Sequence, residues 1–368
     1  MKFAHSGCGH DAAGARFSRR DALKSLAAAG AGAVLSGNAV VGQGTSAAGA
    51  AAGRATAGRI DVHHHFYPPA YVKAMEHEMA ATGFTPRPWS PAASIEAMDK
   101  NGVATAMISP VQRLVGDSMS DNSERARTLV RLSNDYGAQM VKDNPKRFGL
   151  FAALPLPDQD GSLKEIEHAY DVLKADGIAL WTSYLDKWPG DPAFVPAFEE
   201  MNRRKAVVFF HPAAATCCRN LIPGVGIAGI IEYDLDTARA AESIIVNGTS
   251  ARFPDIRFIF SHSGGAITVL AARIIDDFPK THPERAPHGV EYEFKKFYYE
   301  VAHGSKVPAL DALKDVAPIS QVLYGSDVPL RNYDLTNEGL DQYPGFSPSD
   351  WRAIYRGNAE RLFPRLKS

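Results

Sequence analysis

The chain has 368 residues, 45% of them hydrophobic and 22% charged, an ordinary globular balance. Its formal net charge is −1, so no excess of basic residues recommends nucleic acid or an anionic membrane surface as a partner. Of its three cysteines, Cys8 stands alone and Cys217 and Cys218 are adjacent, a spacing too strained to build a disulfide framework.

In chain order, residues 1–58 read as a leader. Arg16–Lys24 is basic, Ser25–Val41 is rich in Ala and Gly, and small-residue cleavage options follow at Ala48/Ala50 and Ala55/Ala57. The Arg19-Arg20 pair, preceded by Ser18 and followed by Leu23-Lys24, resembles a twin-arginine signal, with Ala22 where such signals usually carry Phe. The expectation is export of a folded chain by the twin-arginine machinery to the periplasm. No stable membrane anchor is expected, because the segment is short and weakly apolar.

Past residue 58, apolar runs at Arg59–His63, Thr105–Ser109, Phe148–Leu154, Gly177–Thr182, Ala206–Phe210, Ile256–Phe260, Phe297–Val301 and Gln321–Tyr324 predict eight buried strands. Helical spacing fills the intervals, as at Ser90–Asn101, Asn122–Asn144, Ser162–Ala175, Asp191–Arg204 and Asp236–Asn247. Strand followed by helix eight times predicts one α/β domain over residues 59–368, a (β/α)8 TIM barrel; a doubly wound open sheet is the alternative.

Chemistry in such barrels sits where the strands end. His63-His64-His65 follows the first run, His211-Pro212 the fifth, Ser261-His262-Ser263 the sixth, Glu300 and His303 the seventh, and Ser326-Asp327 the eighth. His63 and His65, two apart on an extended segment, project to one side and can share an ion, while His64 points away as a packing or hydrogen-bonding residue. Imidazole and carboxylate together suit zinc, manganese or iron. Arg113, after the second run, is a candidate partner for a substrate carboxylate. Trp181, Tyr184, Phe66 and Tyr67 are candidate walls for a planar substrate. The Gly-rich loop 213–231 is a candidate cover or subunit contact.

Asp61-Val62-His63-His64-His65-Phe66, His211-Pro212, Ser261-His262-Ser263-Gly264-Gly265 and Gly325-Ser326-Asp327-Val328-Pro329 together resemble the aminocarboxymuconate-semialdehyde decarboxylase-like branch of the amidohydrolase superfamily. Arg252-Phe253-Pro254 and Gly357-Asn358-Ala359 extend the likeness from about residue 59 to the end of the chain, and Asp234–Ala240 inclines it toward 6-methylsalicylate decarboxylase-type members. The resemblance implies one divalent metal, usually zinc with manganese as the alternative, held by His63, His65, His211 and Asp327. It implies that His262 is the unliganded proton-transfer residue, with Asp327 both ligand and proton-accepting neighbour. Glu300 is a candidate to orient His262. Trp181-Thr182-Ser183 stands where binuclear relatives carry a carbamylated lysine, which agrees with one metal. No organic cofactor is expected, and a homodimer is. The implied reaction is non-oxidative decarboxylation of a small hydroxybenzoate-like or other unsaturated carboxylic acid. The alternative is hydrolysis or hydration by a metal-bound water, as in lactonases.

Overall fold

The computed structural model describes residues 58–81, 85–111, 123–213, 215–218, 231–278 and 282–367. The leader with its Arg19-Arg20 pair, Arg113, and most of the loop 213–231 lie outside the described residues.

Eight strands run parallel in sequence order: β1 Arg59–Phe66, β2 Val103–Pro110, β3 Phe148–Ala153, β4 Gly177–Trp181, β5 Val207–His211, β6 Arg257–Phe260, β7 Tyr298–Glu300 and β8 Val322–Leu323. Between them lie α1 Pro69–Ala74, α2 Glu76–Ala81, α3 Pro91–Lys100, α4 Ser123–Asp143, α5 Gln159–Glu167, α6 Val195–Arg203, α7 Glu232–Val246, α8 Ile267–Asp277, α9 Val290–Lys296 and α10 Val307–Val316, with α11 Tyr333–Gln342 after β8. This is the (β/α)8 barrel expected from the alternation. Local chemistry sets the helix ends. Ser90 caps α3 by accepting from the Ala93 amide at 3.1 Å, and Pro91 occupies the first turn, where no N–H is needed. The expected Ser162–Ala175 helix instead begins at Gln159, capped by Asp158, and continues past α5 through a π-helical turn, His168–Val172. Among the described residues no helix is long and apolar enough to cross a membrane.

Two apolar layers follow from the period-2 alternation of the strands. One, large, packs the outer strand faces against the helices, with Ile108, Phe148, Leu180, Phe210 and Phe260 among its members. The other fills the barrel: Ile60, Val62, Met107, Phe151, Phe209, Ile259 and Leu323, floored from below by Ala359, Phe363 and Leu366.

The seam between β8 and β1 is closed by the residues at the strand ends. The Val62 amide donates to the Tyr324 carbonyl, Asp327 to His63, and His65 to Val328, at 2.9, 2.8 and 2.6 Å. In the same stretch the β1–β2 register slips: Asp61 pairs with Ala106 but His64 with Ile108, three steps against two. Such a bulge re-aims side chains. Val62 and His63 both come to face the interior, the His63 ring lying 4.9 Å from that of Phe209.

Candidate metal centre

His63, His65, His211 and Asp327 converge from β1, β5 and the end of β8, and their ligand atoms lie within 4.8 Å of one another. A neutral imidazole offers a lone pair on one nitrogen only if the other carries the proton. In each of these histidines Nδ1 faces an acceptor: Glu300 Oε1 at 2.8 Å for His63, the Ser109 hydroxyl and carbonyl oxygens at 3.1 and 3.3 Å for His65, and the Pro212 carbonyl at 3.1 Å for His211. In the neutral rings those partners place the protons on Nδ1 and turn three Nε2 lone pairs toward one point.

Asp327 Oδ1 meets them there, 3.1 Å from His63 Nε2, 3.0 Å from His65 Nε2 and 3.9 Å from His211 Nε2. None of these approaches is aligned as a hydrogen bond, so Asp327 Oδ1 and His211 Nε2 are buried without a hydrogen-bond partner. His63 Nε2 and His65 Nε2 lie 3.0 Å apart, and facing lone pairs repel unless positive charge sits between them. Ligands on one ion, with bonds of about 2 Å, need separations of this size. The donor set therefore fits a divalent metal.

Electrostatics carry the same demand for positive charge. Burial opposes a charge on His63, yet Glu300 and Asp327 outweigh it and raise its pKa to about 10. Burial lowers His65, and lowers His211 to about 3. Burial would raise Asp327, but His63 and the surrounding imidazoles hold its carboxyl well below the usual range.

His262 completes the group without joining it. Its ring is stacked on His63 at 5.4 Å, and its Nε2 is buried with no hydrogen-bond partner. Burial first, then neighbouring imidazoles, push its pKa well below 6.5, so the free site holds it neutral. Glu300 does not touch the His262 ring. Its Oε1 takes the His262 backbone N–H at 2.7 Å beside the His63 bond, and its Oε2 takes the Ala302 N–H at 2.7 Å. The expected orienting partner of His262 thus holds its backbone, while its ring contact is with His63. Gly325 makes room for it: a Cβ there would collide with the Glu300 carboxylate.

Four residues of this group hold left-handed backbone: Asp327 at φ 65°, His262 and Ser263 at 57°, and His303 at 55°. For non-glycine residues this costs about 1–3 kcal/mol each and is met where surrounding structure over-determines the chain. Asp61 supplies part of that constraint. Its Oδ1 accepts from the His63 and Ser326 amides, and its Oδ2 from the Ser326 and Tyr333 hydroxyls. His64 points away, as expected, with Nε2 2.9 Å from Ser94 Oγ.

Trp181 lies at the end of β4 with its ring 5.4 Å from His211, and its indole N–H is buried without an acceptor. Tyr184 is structural: its hydroxyl accepts the Trp181 backbone N–H at 2.9 Å. Phe66 faces outward, stacked on Tyr136. Tyr67 is near Asp327, which after burial is what raises its pKa to about 12. Sequence reasoning left Arg87 unremarked, because it lies in an irregular stretch; its Nη1 donates to the Pro329 carbonyl at 3.2 Å, two residues beyond Asp327. Cys217 and Cys218 are free thiols on a surface loop.

With this geometry in place, the likeness to known proteins has a physical basis. A family model described as Amidohydrolase matches residues 60–365. Decarboxylase macB of Penicillium terrestre is 36% identical over 327 residues, spanning 84% of this chain and 96% of its own length. The 6-methylsalicylic acid decarboxylase of Penicillium expansum is 33% identical over 320 residues, spanning 84% and 97%. A solved dihydroxybenzoic acid decarboxylase from Polaromonas sp., with bound manganese and the inhibitor 2-nitroresorcinol, shares the fold at a TM-score of 0.70 and 21% identity, over 85% of this chain and 98% of that one. The chain belongs to the amidohydrolase family, in the branch that holds the 6-methylsalicylate and aminocarboxymuconate-semialdehyde decarboxylases.

Proposed function

We propose that the protein is a metal-dependent, non-oxidative decarboxylase of a small hydroxybenzoate-like acid, with His63, His65, His211 and Asp327 as metal ligands and His262 as the proton-transfer residue. The carrying observation is a buried set of three imidazole Nε2 atoms converging on one carboxylate oxygen that has no hydrogen-bond partner, with a further imidazole stacked beside it.

A divalent metal bound there would anchor and polarise the substrate's oxygens. The chain's own residues do the rest. A carboxylate arriving beside His262 adds negative charge next to its ring and raises its proton affinity. His262 then delivers a proton from Nε2 to the ring carbon bearing the carboxylate. The carbon–carbon bond breaks, its electrons restore the ring, carbon dioxide leaves, and His262 recovers a proton from solvent. The free indole N–H of Trp181 serves as a donor to the substrate. Arg113 and Arg87 are the cations proposed for its carboxylate; Arg113→Met and Arg87→Met, measured separately, should reveal the true partner by a raised KM.

The test is metal content by mass spectrometry, beside a His63→Ala/His65→Ala variant, with carbon dioxide release assayed over a panel of hydroxybenzoates and lactones. About one equivalent of metal, lost in the variant, with chelator-sensitive carbon dioxide release supports the reading. Ring opening without carbon dioxide moves the activity to hydrolysis on the same site. Reconstitution with zinc or manganese decides between the two ions; zinc is proposed from the imidazole-rich donor set.

We further propose that residues 1–58 are a twin-arginine leader directing the folded chain to the periplasm, and that the mature chain is a homodimer. Arg19→Lys/Arg20→Lys should abolish periplasmic recovery, and light scattering should return twice the chain mass.

A further inference from the structure

We infer that Arg331 is a positioning residue: through His303 it fixes Asp327 so that a single carboxylate oxygen faces the metal. The inference rests on the proposed ligand set.

The argument is one of hydrogen-bond polarity. Arg331 Nη1 lies 2.8 Å from His303 Nδ1, and His303 Nε2 lies 2.8 Å from Asp327 Oδ2. A guanidinium donates and never accepts. His303 Nδ1 must therefore present its lone pair, which leaves the imidazole proton on Nε2. That proton can only be given to Asp327 Oδ2. The tautomer is the reverse of that in His63, His65 and His211, whose Nδ1 atoms face acceptors. Three histidines are thereby made ligands, and a fourth, at the same strand ends, is made a donor.

The consequence falls on Asp327. One of its oxygens is spent on His303, and the other is left without a hydrogen-bond partner at the point where the Nε2 atoms meet. Were His303 free to carry its proton on Nδ1, two lone pairs would oppose each other at Oδ2. Asp327 would then swing, or turn both oxygens toward the ion. Two further observations tie Arg331 to this task. Its own backbone N–H donates to the Asp327 carbonyl at 2.8 Å, so guanidinium and carboxylate share one tight turn. Its Nε is buried with no acceptor, a desolvation cost that a fully exposed guanidinium would avoid, while its Nη1 meets His303 at the exposed rim of the site. Both His303 and Asp327 hold left-handed backbone, which keeps the two side chains facing each other.

The test is zinc affinity of the metal-free chain, measured by competition with a colorimetric chelator, for wild type, Arg331→Met, Arg331→Lys, His303→Ala and the Arg331→Met/His303→Ala double variant. Loss of a partner that orients a ligand typically weakens metal binding 10–100-fold, so Arg331→Met should lose at least about tenfold. Arg331→Lys, still a donor only, should recover most of it. The double variant should be no weaker than His303→Ala alone, because both act through one bond. Should Arg331→Met fail to fold, Arg331→Gln, whose amide can accept as well as donate, should lose affinity in the same direction. With substrate, kcat should fall while KM stays within about twofold. Unchanged affinity in Arg331→Met, multiplied losses in the double variant, or a raised KM at unchanged affinity would each overturn the inference and leave the ligand set standing. A wild-type chain that binds no zinc would instead remove the ligand set itself.

Discussion

His262 is defined by what does not touch it: a buried Nε2 with no hydrogen-bond partner, beside three proposed ligands whose Nδ1 atoms all face acceptors. Its replacement is accordingly selective. His262→Gln should lower kcat by about 10²–10⁴-fold, the usual worth of a general acid–base, while bound metal measured by mass spectrometry stays at the wild-type level. The titration of its neighbours predicts the pH dependence of the metal-free chain. His65, His211 and His262 have lowered folded pKa values against an unfolded value near 6.5, so below that pH the unfolded chain binds more protons and stability falls with pH. His63 has the opposite sign. Its pKa is raised to about 10, so its contribution is complete below about 6.5 and is lost as pH rises through 10. Melting of the chelated chain across both limbs should therefore show a maximum between them, with His211→Asn flattening the acid side and His63→Asn the alkaline side. At this scale the sequence was legible where a residue's role follows from its type and place, as for the His63/His65 pair and for His64. Roles decided by a partner far along the chain were not. Glu300 serves His63 across 237 positions, and His303 takes its tautomer from Arg331.

The strands themselves were readable to within a residue or two, because buried parallel strands have to be apolar and turns cannot be. The exception is instructive. The first strand runs on to Phe66, so the histidines lie within it rather than after it, and the slip between Asp61 and His64 is what brings Val62 and His63 to the same interior. A one-residue slip leaves no mark in composition; it is fixed by the partner strand and by Asp61, which gathers the His63 and Ser326 amides on one oxygen. The element-level counterpart on β8 is Gly325. Gly325→Ala should drive the new methyl into Glu300 and disturb the His63 ring, weakening metal affinity about 10–100-fold, as chelator competition would show, while circular dichroism still reports the barrel.

For the molecule as a whole, the site and the closure of the barrel are one construction. The proposed ligands His63, His65 and Asp327 are also the residues whose backbones join β1 to the end of β8. A bound ion should therefore stabilise the fold, by about 2.7 kcal/mol at a free concentration one hundred times Kd, and chelation should lower the melting temperature accordingly. The floor below has its own test. Phe363 is buried edge-on to Phe151 at 5.7 Å, and Phe363→Ala should cost about 3–5 kcal/mol in urea unfolding with metal stoichiometry unchanged. That floor has a consequence for how the molecule comes into being. The side chains that cork the barrel, Ala359, Phe363 and Leu366, are synthesised long after the strands they support, and Asp327 long after His63 and His65. A nascent chain that ends before Asp327 carries three of the four proposed ligands and an open base. With the proposed ligand set, tight metal binding should await Asp327, and a ribosome-stalled chain ending before it should release zinc far faster than the finished protein.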